Sequence, residues 1–290
     1  MNKKEMTSSM KTRKLITNII VHVCLTLLSL IWLVPIAWVV MQSFSGTMAP
    51  TSDLIPKSWS LNNYIKLFTD TSIFNFPKMF KNTFIIAVFT CLISTFFALS
   101  VSYCMSRLRF KMRKKYMNIA MILGLFPGFM SMVAVYYILK AIGLSEGAMI
   151  RVALVLVYSA SSGLSFYIAK GFFDTIPKSL DEAAYLDGCT KFQVFTKVTI
   201  PLSKPIIVYT VLTSFMGPWL DFIFAKVICR ANAEYYTVAI GLWNMLEKEY
   251  LNSWYSCFAA GAVVISIPIA ILFIFMQRYY TEGLSGAVKG

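Results

Sequence analysis

Few side chains in this sequence are equipped for bond chemistry, and the most telling ones sit together in a polar insert. Glu182-Ala-Ala-Tyr-Leu-Asp187-Gly188 opens the stretch EAAYLDGCTKFQVFTKVTIPLSKP, which runs from Glu182 to Pro205 between two apolar segments. Ser179, with Glu182 three residues on, reads as a capping box that starts a short helix. Ala183 and Ala184 let another surface come close, and Gly188 supplies a turn that a β-branched residue would resist. Phe192, Phe195 and Val198 follow at helical spacing, and Pro201 and Pro205 lead into the next apolar segment. Acids, small residues and a sharp turn in this order make a surface for gripping another protein. The alternative is an amphipathic loop that rests on the membrane surface and packs only on its own chain.

The rest of the chemical inventory is thin. Asp221 is the one acid inside an apolar run, where an ionisable group faces a cavity, a partner or interfacial water. The only histidine, His22, falls in an apolar stretch and reads as hydrogen-bonded within its helix. Cys24, Cys91, Cys104, Cys189, Cys229 and Cys257 have no paired spacing and read as small apolar residues, so neither a disulfide framework nor a metal site is expected. H-E-x-x-H, G-x-S-x-G and the phosphate-binding G-x-x-x-x-G-K-[ST] are all absent. The chain is therefore expected to be no enzyme and to carry no cofactor of its own.

The elements that must position the insert are membrane helices. Of 290 residues, 58% are hydrophobic and 14% charged, more apolar surface than a soluble domain of this size can bury. Six apolar stretches are long enough to cross the hydrocarbon layer: Leu15–Met41, Thr83–Cys104, Met117–Lys140, Ile150–Lys170, Pro205–Ile228 and Ser256–Gln277. The first is too long for a cleaved secretory signal and reads as a retained span. The expected architecture is an all-α membrane protein with a cytoplasmic N-terminus (1–14), a first transmembrane helix (15–41), a core transmembrane domain (83–277) that contains the insert and its flanks (174–204), and a cytoplasmic C-terminal tail (278–290).

The formal charge of +14 does not signal nucleic acid, because the positive residues are grouped beside the spans, above all in Arg107-Leu-Arg-Phe-Lys-Met-Arg-Lys-Lys115. With the N-terminus inside, eighteen of the 27 Lys and Arg fall on the cytoplasmic side, as the positive-inside rule requires. Both termini and the polar insert then share that side. Prolines Pro35, Pro127, Pro218 and Pro268 punctuate the spans, and Pro127-Gly128 and Gly217-Pro218 are the expected breaks. Leu54 to Tyr64, with Trp59, is expected to lie along the outer membrane surface.

The insert resembles, nearly residue for residue, the EAA loop of ATP-binding-cassette importer permeases, EAA-x-x-D-G followed by P-L-x-x-P. Cys189 stands where that loop usually has Ala. The ending, Gln277 to Gly290 (QRYYTEGLSGAVKG), is similar to that of the smaller, six-span permease subunit of maltose/maltodextrin importers. Pro218-Trp-Leu-Asp-Phe222 is similar to the Trp-Asn-Asp/Glu-Phe element of sugar permeases, with Leu220 in place of Asn.

The resemblance implies a type I importer permease fold in the cell membrane and a permease subunit of an ATP-driven, binding-protein-dependent sugar importer, with maltose, maltodextrin or a related oligosaccharide as solute. It implies as partners a second, different permease subunit, two copies of an ABC ATPase that hold ATP and Mg, and an extracytoplasmic sugar-binding protein. Glu182, Ala183, Ala184, Asp187 and Gly188 would contact the ATPase, as would Gly286, Lys289 and Gly290 of the tail. Tyr235, Tyr236 and Trp243 would face the binding protein, or else form an interfacial aromatic belt. Asp221 is a candidate for the translocation path. The same machinery serves other solutes, such as a glycerol-phosphate, a polyol or another oligosaccharide. An ion-coupled secondary transporter would need intramembrane carboxylates or lysines, and these spans nearly lack them.

Overall fold

The structure, a computed structural model, describes residues 3–51, 53–125, 128–160 and 162–287. Among them there is no strand, only an isolated bridge between Ser45 and Trp59. Helix is the expected answer for such a composition, because backbone away from water must satisfy its N–H and C=O groups within its own segment. In chain order the helices begin with α1 (Lys3–Ser43), α2 (Asn62–Thr69), α3 (Phe76–Arg107), α4 (Arg113–Gly124), α5 (Gly128–Ala141), α6 (Met149–Ala160) and α7 (Ser162–Thr175). Then come α8 (Lys178–Leu186), α9 (Lys191–Val194), a π-turn (Phe195–Thr199), α10 (Ile200–Leu202), α11 (Lys204–Leu220), α12 (Ile223–Cys229), a 3₁₀ turn (Ala233–Tyr235), α13 (Val238–Met245) and α14 (Leu251–Ala287).

Three of these hold an apolar stretch that could cross a bilayer unaided: Arg13–Ser43, Phe76–Arg107 and Leu251–Tyr279. The other expected spans are discontinuous. Met117–Lys140 falls on α4 and α5, Ile150–Lys170 on α6 and α7, and Pro205–Ile228 on α11 and α12. The first two interruptions fall beside weak helix formers, Gly124 and Gly128 in one case and Ser162-Gly163 in the other. Phe126 and Pro127 lie outside the described residues. The expected break at Gly217-Pro218 is displaced: α11 runs through Pro218 to Leu220, and the chain turns at Asp221 and Phe222. Asp221 explains the shift. Its carboxylate accepts from the Phe224 and Ala225 N–H groups at 3.2 and 3.0 Å, capping α12, and from Tyr158 Oη at 2.6 Å.

Helix α3 is the hub, packed on α6, α7, α11 and α13. At its Phe76 end a core of Phe76, Met79, Trp219, Leu242 and Trp254 gathers α11, α13 and α14 around it. Gly261 permits the close approach of α13 and α14, since a Cβ there would sit 2.5 Å from Leu242 Cδ2. At the Arg107 end Leu99, Tyr103, Phe173 and Ile206 form a second core.

The α13 end is closed by polar clamps. Asn82, buried, donates to the carbonyls of Glu234 and Tyr236 at 3.0 and 3.2 Å, and Thr83 Oγ1 accepts from the Val238 N–H at 2.9 Å. Asn63, also buried, donates to the carbonyls of Ser43 and Ser45 at 3.1 and 2.7 Å, tying α2 to the end of α1. The stretch expected to lie flat on a membrane is thus partly folded inward: α2 buries Asn63 and Leu67, while Leu54, Ile55 and Trp59 before it stay exposed. By contrast α1 exposes apolar side chains from Leu15 to Val40, with Trp32 70% exposed. Such a surface belongs in hydrocarbon or against another membrane helix.

Replacing Asn82 with Leu would remove the donor from the partly buried carbonyls of Glu234 and Tyr236. The expected loss is about 2 kcal/mol of stability, read as a lower melting temperature of the detergent-purified chain.

Candidate coupling surface

The insert is a helix, a turn and a second helical stretch, as expected, but its capping differs. Pro177, at φ −57° and ψ 130°, is the residue before α8, and no side chain caps that helix. Ser179 and Glu182 therefore form no capping box; the chain enters the helix two residues earlier, and the Glu182 side chain is left exposed. The box is found at the second helix instead. There Gln193 N–H donates to Thr190 Oγ1 at 3.3 Å and Thr190 N–H donates to Gln193 Oε1 at 2.7 Å.

Between the two helices the backbone reverses on Gly188, whose φ is +83°. Gly188 N–H bonds the Tyr185 carbonyl at 3.0 Å and Cys189 N–H bonds the Ala184 carbonyl at 2.9 Å, the paired bonds of a Schellman motif. Nothing lies within 4 Å of where a Gly188 side chain would start, so the backbone angle demands glycine and space does not. Further on, Pro201 lacks the N–H that would continue the α-helical ladder, and a π-turn precedes it. At Ser203 the chain bends by 82° into α11.

Sequence reasoning did not find what holds this unit in place. Asp181 points inward, and its carboxylate lies 3.1 Å from Nε of Arg107, the last residue of α3. Their side chains are only 10% and 3% exposed. The contact is an ion pair without hydrogen-bond alignment, since Nε, Nη1 of Arg107 and Oδ1 of Asp181 have no hydrogen-bond partner. Arg107 Nη2 also donates to the Ile176 carbonyl at 2.8 Å. Tyr103 Oη donates to the Lys191 carbonyl at 3.1 Å, and its ring packs on Phe195 at 4.6 Å. Ser106 Oγ and Lys170 Nζ both donate to the Asp174 carboxylate at 2.5 Å. In the sequence Arg107 looks like one more positive-inside residue; only its place on the last turn of α3 hints at a separate role.

Clamped from below, the unit presents one free edge. Glu182, Ala183, Asp187 and Gly188 are exposed, while Ala184 is turned into the protein. Leu186 is 90% exposed and Phe192 72%. Val194 fills the inward side of the second helix, so the expected Phe192–Phe195–Val198 face is rotated, with Phe192 outside. The edge is thus an apolar knob flanked by two carboxylates, at the end of the molecule opposite α13.

The other site candidates fall elsewhere. Asp221 is engaged as the α12 cap. Tyr236 is half-buried, donates from Oη to the Arg230 carbonyl at 2.8 Å, and has its phenol pushed above the ordinary range by burial. Tyr235 lies beneath the Arg151 guanidinium at 5.4 Å. Nearby, a hydrogen bond from Lys78 holds Glu234 below the usual carboxylate range. Trp243 is exposed and stacks on Phe222 at 4.7 Å. Gly286 belongs to the last turn of α14, and Lys289 and Gly290 lie outside the described residues. Among the described residues no cluster of His, Cys, Asp or Glu is suited to a metal ion.

Comparison with known proteins supplies a frame for this surface. A family model described as the binding-protein-dependent transport system inner membrane component matches residues 11–285. The galactooligosaccharide transport system permease GanQ of Bacillus subtilis is 31% identical over 288 residues, covering 98% of this chain and all of the relative. The maltodextrin transport system permease MalD of Streptococcus pneumoniae is 31% identical over 287 residues, with 98% and 100% covered. In fold, the chain is similar to a chain of a bacterial ABC transporter involved in import of the acidic polysaccharide alginate, at a TM-score of 0.74 and 22% identity over 91% of this chain and 96% of that one.

The buried pair yields a measurable expectation. Arg107→Met strands the Asp181 carboxylate, which costs about 3–5 kcal/mol, whereas Arg107→Met with Asp181→Leu removes both charges and recovers most of it. Limited proteolysis of the purified chain after Lys178 and Lys191 should be fast in the single variant and near wild type in the double.

Proposed function

The chain belongs to the family of binding-protein-dependent transport system inner membrane components, and we propose that it is a permease subunit of an ATP-driven sugar importer. The observation that carries this reading is the exposed edge of α8, where Leu186, Glu182 and Asp187 project from a helix locked to the end of a long apolar span. Leu186 and Phe192, both largely exposed on this one polar loop, offer a protein partner an apolar patch to cover. A nucleotide-hydrolysing subunit that grips this edge would pull on α3 through Arg107 and on α11 through the bent link at Ser203. ATP and Mg would be held by that partner, and this chain would contribute no bond chemistry. Movement of α8 would shift the spans between inward- and outward-facing arrangements, to an extent set by the differential contacts of each ligand in the two states.

The proposed topology has six crossings, three by α1, α3 and α14 and three by the helix pairs α4–α5, α6–α7 and α11–α12, with both termini and α8 in the cytoplasm. Broken helices are tolerated at membrane depth where they line a cavity or pack against protein. The α13 end would then be extracytoplasmic, with the exposed Trp243 available to a sugar-binding protein, and a second permease subunit would cover the apolar faces. The end of α14 and the residues beyond it, including Gly286, Lys289 and Gly290, would reach the ATPase. The sugar reading is supported by the roles of full-length relatives; maltodextrins and related oligosaccharides are the first solutes to test.

Gly188→Pro cannot adopt φ +83°, and Glu182→Lys reverses a charge on the free edge. Both variants should insert normally yet lose solute uptake while the ATPase remains active. Affinity purification from native membranes should recover a second permease and an ATPase with this chain. Wild-type uptake by both variants, or recovery of this chain only as a homo-oligomer, contradicts the proposal.

A further inference from the structure

Between α5 and α12 lies an open pocket of about 470 Å³, lined by Val133, Tyr136, Tyr137, Lys226, Val227 and Arg230. Its two cations stand one helical turn apart, where like charges repel. Both are held only by neutral groups. Lys226 Nζ donates to Asn244 Oδ1 at 3.2 Å and lies 5.1 Å from the Tyr236 ring centre. Arg230 Nη1 donates to Tyr136 Oη at 2.9 Å, with its guanidinium carbon 4.7 Å from that ring centre. Among the described residues neither cation has a carboxylate within ion-pair distance. Arg230 is also the one non-glycine described residue with positive φ, +49°, a conformation that L side chains rarely adopt unless the surroundings impose it.

The remaining wall is apolar, and it continues beyond the pocket. Val133 in the wall and Met130 one turn away on the same face of α5 are 60% and 65% exposed. A sugar would find few hydrogen-bonding groups here. An amphiphile finds both of its requirements, cations for an anionic head and an apolar helix face for a chain. The cations end α12, next to the polar segment that leads to α13, and the two tyrosines sit beside them as interfacial residues do. We propose that this pocket holds the headgroup of an anionic phospholipid from the leaflet on the α13 side, its acyl chain lying along α5. The proposal rests on the membrane-spanning reading and is independent of which solute the assembly moves.

The test uses the full chain, purified in mild detergent, and native mass spectrometry with phosphatidylglycerol and phosphatidylcholine as probes. Wild type should retain phosphatidylglycerol selectively, and retention should weaken roughly fivefold for each charge removed in Lys226→Gln, Arg230→Gln and their combination. Arg230→Gly relaxes the backbone and should fold at least as well as wild type, yet hold the lipid as poorly as Arg230→Gln. Arg230→Lys should keep most of the binding. Equal retention of the two lipids by wild type, or unchanged phosphatidylglycerol retention in the charge variants, overturns the site. Displacement of the lipid by soluble glycerol 3-phosphate at comparable concentration assigns the pocket to a soluble anion and overturns the lipid reading.

Discussion

A single buried ion pair decides how the exposed helix α8 is held to the rest of the molecule. Arg107 ends the most highly connected helix, and Asp181 lies in the first turn of the exposed one, so the pair ties α8 to α3. Removing two charges from water is expensive, and their attraction compensates only when both are present. Such a contact behaves as a switch between joined and broken, with little in between. Its partly unmatched atoms, Nη1 and Oδ1, make it less a source of net stability than a device that specifies one placement of α8.

The interruptions between successive apolar helices follow the same logic of polar accounting. Where α11 stops, Asp221 takes over the first N–H groups of α12 and Tyr158 shares its carboxylate. A break inside an apolar segment leaves backbone donors exposed, and a capping acid is the cheapest local remedy. The acid that stands out in the sequence is thereby accounted for by the backbone around it. Asn63 and Asn82 do equivalent work at the α13 end, where irregular segments must fold over a helical core. The apolar exterior of α1 and α5 has no such internal partner, so lipid or another subunit must complete it.

How much of this was legible beforehand depended on range. Apolar run length marked the long helices because hydrocarbon thickness is a one-dimensional constraint. Gly188 was legible because positive φ is a property of one residue, and its turn appears where expected. The capping box was misplaced by eleven residues, from Ser179 to Thr190, because Ser/Thr–x–x–Glu/Gln occurs at both positions and only the entry angle after Pro177 decides between them. Ala183 and Ala184 are adjacent and chemically identical, yet one is exposed and the other buried; the rotation of α8 about its axis is set by Asp181 reaching Arg107.

By itself, then, the sequence determined that the chain is helical and membrane-embedded, that a polar helix–turn–helix interrupts its spans, and that Gly188 makes the turn. These are matters of composition, run length and single-residue conformational preference. Only the tertiary structure decided that Arg107 leaves the basic cluster to pair with Asp181, that Asp221 caps a broken helix, and that Lys226 and Arg230 share one pocket with Tyr136. The pairings of Arg107 with Asp181, of Tyr158 with Asp221 and of Tyr136 with Arg230 join distant residues through the relative rotation and depth of packed helices, quantities that no local pattern encodes.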